Sequence, residues 1–448
     1  MSVTGNWRED LESRVADEVT YIVDSFAAPD NGAIDIGVAM IDGELDYLFA
    51  EGRLLVRDEQ LGRVLEILGQ PTEVELRDIE PRRVQRVISG VVQLTLGPTN
   101  EGEMHAIPNA LDLVDNELGP GIATPDHVLT VAPNAGGCPA TEPEEVYYGT
   151  EPYPSVCHGN GGEGVLVYMA DTGLLAHPAD GHPWLRGVQE GDAADLDTGN
   201  GQDPIPPYTA HGTFVAGVAR CMAPAADVIV TNAFAVAGST LESDLVPRLV
   251  SALGLGVDIF HLTIAAPTRQ DLPLVTFEAW LKLLRQYKGV VVVVAAGNSG
   301  SRRPYWPAAF SEVVSVGALA ADWRSRASFS NHGGWVDVYA PGRDLINAYA
   351  TGTYKCHVQP YTDQERQFYG MAKWSGTSFS TPIVTGLIAS RMSRTGENGQ
   401  QAAAALLAEA RAEAIPGVGP ILLPCCHDGH PARAEECCRE PCRCKPGC

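Results

Sequence analysis

The chain has 448 residues, which is about three domain lengths by the usual prior. It carries 31 Lys and Arg against 56 Asp and Glu, so 31 − 56 gives a formal charge of −25. Apolar residues make up 45%, enough to bury a sizeable core, which excludes wholesale disorder. The negative charge disfavours nucleic-acid phosphates and anionic lipid surfaces, so neither nucleic acid nor membrane is an expected partner.

No apolar run reaches the roughly 18–20 residues that a membrane-spanning helix needs. The first ten residues, MSVTGNWRED, lack the basic and apolar regions of a secretion signal. We therefore expect a cytoplasmic location, with non-classical export as the alternative. Seven of the 11 cysteines lie within residues 425–448, and such a cluster without an export signal favours metal binding over disulfides.

Residues 1–45 are predicted to be an acidic extension with one amphipathic helix, because apolar residues recur at helical spacing from Leu11 to Phe26. Residues 46–133 alternate as strand, helix, strand, strand, helix and strand, and one of these strands is predicted at Val74–Ile79. This βαββαβ order is typical of a ferredoxin-like α+β domain. Residues 134–164 are rich in Gly, Pro and Glu, which indicates a linker.

Residues 165–415 contain short, nearly continuous apolar runs separated by helical segments. Examples are Val165–Ala170, Ile259–Ile264 and Val290–Ala295. Such runs indicate parallel strands that helices cover on both faces, so this region is predicted to be an α/β domain. Residues 416–448 remain as a tail rich in Cys and His.

Four motifs in the α/β region carry reactive side chains. Asp171 ends the first strand, and His211 opens a helix of small residues. Asn298 follows a strand of valines, where its amide can donate to a developing oxyanion. Ser378 opens a helix and keeps its backbone N–H free for a second oxyanion contact. Each motif alone also fits a structural role.

Taken in chain order, these four residues supply the groups of an activated serine nucleophile. A serine hydroxyl needs a base, and the base needs a carboxylate that orients it and stabilises its protonated form. The order Asp, His, Ser excludes an α/β-hydrolase, in which the serine comes first.

With these motifs, residues 160–415 resemble the subtilisin-like (subtilase) serine peptidase family. The likeness extends to the segments YWPAA at 305–309 and DVYAPG at 337–342. The resemblance implies a subtilisin-like fold, with a parallel sheet between helices, and no cofactor for catalysis. It implies Asp171 as the orienting carboxylate, His211 as the general base, Ser378 as the nucleophile and Asn298 as the oxyanion donor. It further implies a substrate-binding role for Leu262, Thr263, Ile264, Ala265, Ala295, Ala296 and Gly297.

Two features of the sequence concern specificity. Ala265 stands where the family tends to have glycine, and its methyl group is predicted to narrow the range of substrates. Arg302, Arg303 and the bulky Tyr305 follow the oxyanion residue, near the pocket for the residue before the scissile bond. We expect the two arginines to favour acidic substrate residues.

The resemblance also gives residues 46–133 a role. Many subtilases carry an N-terminal propeptide of ferredoxin-like fold, which assists folding of the catalytic domain and inhibits it until cleavage. We therefore expect a self-inhibited precursor, in which the N-terminal domain acts in cis as inhibitor and chaperone and the linker is cut. A permanent accessory domain is the alternative.

The tail is expected to bind Zn²⁺ or another soft metal, because thiolates and imidazoles are the ligands that such metals prefer. The alternatives are a disulfide knot and a flexible redox-labile tail. Asp192, Asp195, Asp197 and Asp203 suggest Ca²⁺ binding, but a solvated acidic loop is the preferred interpretation. The candidate tail ligands are Cys425, Cys426, His427, His430, Cys437, Cys438, Cys442, Cys444 and Cys448.

The sequence thus predicts a serine endopeptidase that acts on protein or peptide substrates and serves restricted processing. The competing hypothesis is a non-catalytic metal-binding or adaptor protein on a subtilase scaffold. The intact set of Asp171, His211, Asn298 and Ser378 favours the peptidase.

Overall fold

The computed structural model describes residues 11–69, 81–96, 106–131, 140–191, 203–234, 236–358 and 360–424. The α-helices within these ranges are α1 Ser13–Ala27, α2 Leu61–Leu68, α3 Ala106–Leu118, α4 His211–Met222, α5 Glu242–Ala252, α6 Val275–Leu284, α7 Thr377–Thr395 and α8 Gly399–Ala412. The first strands are β1 Ile36–Ile41, β2 Glu44–Arg57, β3 Pro81–Ile88, β4 Val91–Leu96 and β5 Ala123–Thr130. The later strands are β6 Leu166–Asp171, β7 Val188–Glu190, β8 Asp227–Asn232, β9 Ser239–Leu241, β10 Ile259–Leu262, β11 Val291–Ala295, β12 Val314–Leu319, β13 Val338–Pro341, β14 Leu345–Lys355 and β15 Glu365–Trp374.

A seven-stranded parallel sheet forms the centre of the larger unit, residues 140–424. Its strand order is β13-β12-β11-β10-β6-β8-β7, and helices α4 and α7 pack against it. Within this unit the first strand is β6. Strands β7 and β8 lie on one side of it and β10 to β13 on the other, so the strand order reverses beside β6. Open α/β sheets place their sites at the carboxyl ends of strands at such a switch point. The predicted parallel α/β fold is confirmed.

The N-terminal unit, residues 11–131, is built on an antiparallel sheet with the order β3-β4-β2-β5. Helices α2 and α3 connect these strands and cover one face of the sheet. This is the strand order of a ferredoxin-like domain. A predicted strand at Val74–Ile79 lies outside the described residues.

Two additions extend this sheet beyond the ferredoxin-like pattern. Strand β1 pairs with the first half of β2 through a turn at Asp42 and Gly43, both at positive φ. Residues 1–45 are therefore more than a helical extension, and the Asp-Gly pair between two apolar runs is a hairpin signal that could have located β1. Strand β9, from the larger unit, pairs with β5.

The second face of the N-terminal sheet is shared between two partners. Leu55, Ile88 and Leu129 join the core of the larger unit and pack toward α5 and α6. Helix α1 covers the remainder with its apolar stripe, and the same cluster includes Leu241 of β9. The two units therefore bury apolar surface against each other, which stabilises both by the hydrophobic effect.

Charged groups also join the two units. Arg269 of the larger unit is 3% exposed and contacts Asp112 at 2.7 Å and Asp115 at 2.5 Å on α3. Arg303 pairs with Asp46 at 2.7 Å and also contacts Asp271. Arg303 is thus engaged in the interface, which differs from its expected role in selecting acidic substrate residues.

Two domain boundaries differ from the expectation. Linker residues from 140 onward attach to the hairpin β14–β15, since Glu144 and Lys373 exchange backbone hydrogen bonds of 2.8 and 2.9 Å. At the other end, Tyr339 N donates to Pro420 O and Leu422 N donates to Tyr339 O, both at 2.9 Å. The larger unit therefore extends beyond residue 415. Among the described helices, none has the length and apolar character needed to cross a membrane.

Helices α4 and α7 approach closely at Gly386. A Cβ atom built on Gly386 would lie 2.5 Å from Met222 Cβ and 2.7 Å from Ala219 O. We expect Gly386→Ala to lower the free energy of unfolding by about 1–3 kcal/mol, the usual range for overpacking. The matched control is Gly254→Ala, because a Cβ there meets nothing within 4 Å. Urea unfolding in a Ser378→Ala background measures both, and equal stability of the two variants would contradict the packing argument.

A second prediction concerns Asp126 of β5, which caps helix α5. Its Oδ1 accepts from Ser243 N at 3.2 Å and its Oδ2 from Ser243 Oγ at 2.6 Å. Burial, followed by the charge of Glu242, raises the pKa of Asp126 from 3.8 to about 7. The folded state therefore resists ionisation, so this carboxyl increasingly opposes folding as pH rises from about 4 to 7, and fully opposes it above 7.

Asp126→Asn keeps the shape of the cap and removes the charge. We expect this variant to raise the melting temperature at pH 8.5 by roughly 2–6 °C and to change it little at pH 4.5. The exposed Asp30→Asn serves as the control. Calorimetry of the Asp126→Asn and Asp30→Asn variants in a Ser378→Ala background measures the melting temperatures. An unchanged or lower melting temperature of Asp126→Asn at pH 8.5 would show that the buried charge of Asp126 does not oppose folding.

Candidate active site

Three elements bring the predicted reactive residues together. Asp171 is the last residue of β6, His211 is the first residue of α4, and Ser378 is the second residue of α7. All three side chains are 0% exposed. Asp171 Oδ1 lies 2.6 Å from His211 Nδ1, the geometry in which a carboxylate orients an imidazole.

The Asp171 carboxylate receives further hydrogen bonds. Thr263 Oγ1 donates to its Oδ2 at 2.6 Å, and Thr172 N donates to its Oδ1 at 2.8 Å. Burial alone would raise the pKa of Asp171, but the charge and hydrogen bond of His211, with those of Thr263 and Thr172, lower it overall. The carboxyl group is therefore ionised at neutral pH.

The atoms that would exchange a proton are available. Within the described part of the chain, neither His211 Nε2 nor Ser378 Oγ has a hydrogen-bond partner, although both are buried. The imidazole is held by aromatic rings, with Trp374 edge-on at 5.7 Å and Phe379 at 5.4 Å between ring centroids. This packing restricts the ring without occupying Nε2.

Asn298 follows strand β11 and contacts Thr377, the residue before Ser378. Its Oδ1 accepts from Thr377 N at 2.8 Å and from Thr377 Oγ1 at 2.9 Å. Both contacts are to the carbonyl oxygen, so they fix which end of the side chain is the amide donor. Thr377 Oγ1 also accepts from Gly297 N at 3.1 Å, which joins the β11 loop to the start of α7.

The two predicted substrate-binding segments form facing walls. Leu262 ends β10, and Ile264 and Ala265 follow it, while Ala295, Ala296 and Gly297 end β11 and begin its loop. Thr263 instead turns toward Asp171. A Cβ atom on Gly297 would lie 3.4 Å from Ala265 Cβ and 3.2 Å from a ring carbon of Tyr305. The space between these walls is therefore narrow.

Sequence reasoning missed three residues that build this site. Thr377 orients Asn298, and Asn331 shapes the same loop by accepting from Ser299 N and Ser301 N, both at 3.0 Å. His261, buried in β10, has its Nδ1 2.8 Å from Thr385 Oγ1 on α7. Burial lowers the pKa of His261 to about 3, so this histidine ties the strand to the helix as a neutral group.

The metal predictions cannot be placed on this structure. All the candidate tail ligands lie outside the described residues, as does most of the acidic loop proposed for Ca²⁺. Within the ranges given above, no group of three or more His, Cys, Asp or Glu side chains could hold a metal ion. Cys157 is disulfide-bonded, whereas the buried Cys221 and Cys356 are free thiols.

Comparison with known proteins gives a consistent result. The family model described as "Subtilase family" matches residues 162–418. A thermophilic serine proteinase of Bacillus sp. strain AK1 is 31% identical over 275 residues, covering 58% of this chain and 59% of that proteinase. Thermitase of Thermoactinomyces vulgaris is 29% identical over 275 residues, covering 58% of this chain and 84% of thermitase.

The chain thus spans about three fifths of the length of the first of these relatives. Among solved structures, that of a cold adapted subtilisin-like serine proteinase aligns with a TM-score of 0.46 and 22% identity, covering 60% of this chain and 91% of that one. The family match encloses Asp171, His211, Asn298 and Ser378 and covers more than half of the chain. The chain therefore belongs to the subtilase family.

Proposed function

We propose that this protein is a serine endopeptidase. The observation that carries the proposal is the buried arrangement of Asp171 and His211 at 2.6 Å, beside Ser378 and Asn298 at the switch point of the sheet. This set supplies a nucleophile, a base, an orienting carboxylate and an oxyanion donor, which are the groups that acyl transfer requires.

The proposed reaction begins when Ser378 Oγ attacks the peptide carbonyl carbon and His211 Nε2 takes the hydroxyl proton. Asp171 stabilises the resulting imidazolium through Nδ1. The amide of Asn298 and the backbone N–H of Ser378 donate to the carbonyl oxygen as it gains charge. The imidazolium then protonates the leaving amine, and water releases the acyl group by the same steps in reverse.

We expect Ser378→Ala to abolish peptide hydrolysis and labelling by a fluorophosphonate, because the variant removes the nucleophilic oxygen. The matched control is Ser380→Ala, since Ser380 Oγ donates to Thr377 O within helix α7 and takes no part in the reaction. Cleavage of a casein-derived peptide mixture, followed by mass spectrometry, reads out activity. A wild-type protein that stays both unlabelled and uncut would favour the adaptor hypothesis, and activity in Ser378→Ala would refute the mechanism.

The same proposal includes restricted processing of substrates. A Cβ atom built on Gly297 would lie 3.2 Å from a ring carbon of Tyr305 and 3.4 Å from Ala265 Cβ, so the space after β11 leaves little room for a large side chain. A narrow pocket discriminates against bulky residues by steric exclusion. This geometry supports a preference for small residues before the scissile bond.

We further propose that the protein is made as a self-inhibited precursor, with the N-terminal unit as the inhibitor. Strand β5 leads directly to the substrate wall, where Ala265 N donates to Thr130 O at 3.3 Å. After the gap at 132–139, the described chain resumes beside the residues that lead into α7, where Ala140 N donates to Ser375 O at 3.3 Å. These flanking contacts, and the burial of all three reactive side chains, support self-inhibition.

Purified wild-type protein should therefore contain two fragments, cut within residues 133–160, with the bonds between residues 133 and 140 preferred. Ser378→Ala should remain full length, and Ser380→Ala should be cut like the wild type. Intact mass measurement over a time course identifies the cut. An enzyme that is active yet uncut at every time point would show that the N-terminal unit is a permanent accessory domain.

A further inference from the structure

A cavity of about 1180 Å³ lies beside the candidate active site. Its walls come from linker residues between 148 and 156, from the loop 175–184 after Asp171, and from the hairpin β14–β15. Thr213, two residues after His211, also lines it, and Thr213 Oγ1 accepts from Leu175 N at 2.9 Å. The cavity is thus continuous with the helix that carries His211.

Two aromatic rings lie between the cavity and His211. Tyr349 lines the cavity and packs edge-on against Trp374 at 5.5 Å, and Trp374 packs in turn against His211. The chain's own residues contact Ala265 through Thr130, Ser375 through Ala140 and then this hairpin through Glu144, so a substrate that binds in the same order reaches the hairpin last. The residues after the scissile bond are therefore the ones that the cavity can bind.

The lining combines aromatic faces with negative charge. Tyr148 and Tyr369 are 88% and 59% exposed, and Trp184 forms part of the wall. Among the described lining residues, Glu151 and Asp180 carry carboxylates, His177 and His182 carry imidazoles, and there is no Lys or Arg. Aromatic rings and carboxylates together bind guanidinium and ammonium groups, through cation–π contacts and charge-assisted hydrogen bonds.

The Trp184 wall is held in place by partly buried hydrogen bonds. Trp184 Nε1 donates to Asn347 Oδ1 at 3.0 Å, and Arg220 Nε donates to Trp184 O at 3.0 Å. Asn347 fits against α4 only because Gly217 has no side chain there. A wall that is fixed before binding loses little entropy when a ligand enters.

We propose that this cavity binds basic residues of a peptide substrate, located within the first few positions after the scissile bond. The proposal rests on the peptidase function above and adds a preference for Arg or Lys in the leaving peptide. The volume exceeds that of one side chain and suits a short peptide segment.

The test uses peptides that are identical up to the scissile bond and carry Arg, Gln or Glu at the next positions. We expect kcat/KM for the Arg peptide to exceed that for the Gln peptide by about tenfold, and the Glu peptide to be the poorest substrate. Glu151→Gln with Asp180→Asn should remove most of this preference. A chromogenic amide with no residue after the scissile bond should be hydrolysed equally by variant and wild type.

Glu190→Gln is the matched control, because Glu190 is an exposed carboxylate on β7 outside the cavity lining. It should keep the Arg preference. Equal rates for the Arg and Glu peptides in the wild type would overturn the proposal. So would a double variant that loses as much activity on the chromogenic amide as on the Arg peptide.

A binding measurement separates this proposal from the peptidase function itself. Calorimetry of Ser378→Ala with the Arg-containing leaving peptide should give about tenfold tighter binding than with its Glu counterpart, and added salt should weaken it. This binding experiment needs no catalytic turnover. It therefore tests the cavity even if fluorophosphonate labelling shows that the protein is not a peptidase. Equal binding of the two peptides would refute it.

Discussion

One buried carboxylate constrains the larger unit. Asp171 is completely buried, and a carboxylate without partners in such a place would cost several kcal/mol. Its partners come from three different segments: His211 from the start of α4, Thr263 from the residues after β10, and Thr172 from its own turn. The hydrogen bonds to this one carboxylate therefore align strand β6, strand β10 and helix α4, which bears the base.

A second set of contacts does the same for the nucleophile. Thr377 bonds to Asn298, and His261 bonds to Thr385, so the two ends of the first half of α7 are tied to different strands. The helix cannot slide along the sheet without breaking a buried hydrogen bond at one of these points, which carries a desolvation penalty. The position of Ser378 is thus set by residues that take no part in the chemistry.

The reactive residues of the candidate site could be predicted because each belongs to a local sequence pattern. Asp171, His211, Asn298 and Ser378 each stand at a strand end or a helix start, and the structure places Asp171 against His211 as the resemblance implied. Thr377 was missed although it adjoins Ser378, because its role depends on a residue 79 positions away. The cavity was missed for a similar reason, since its walls meet only when the linker attaches to β14 and β15.

Strand β9 has a further consequence for the surface of the protein. Residues Ser239–Leu241 belong to the larger unit but complete the N-terminal sheet by pairing with β5. Unpaired strand edges attract other extended chains. If the two units separate, the three backbone positions of β9, which are now buried, become an unpaired strand edge that includes the apolar Leu241. Release of the N-terminal unit would therefore expose a short, aggregation-prone strand edge. Because β9 has only three residues, it could form few backbone hydrogen bonds with another chain.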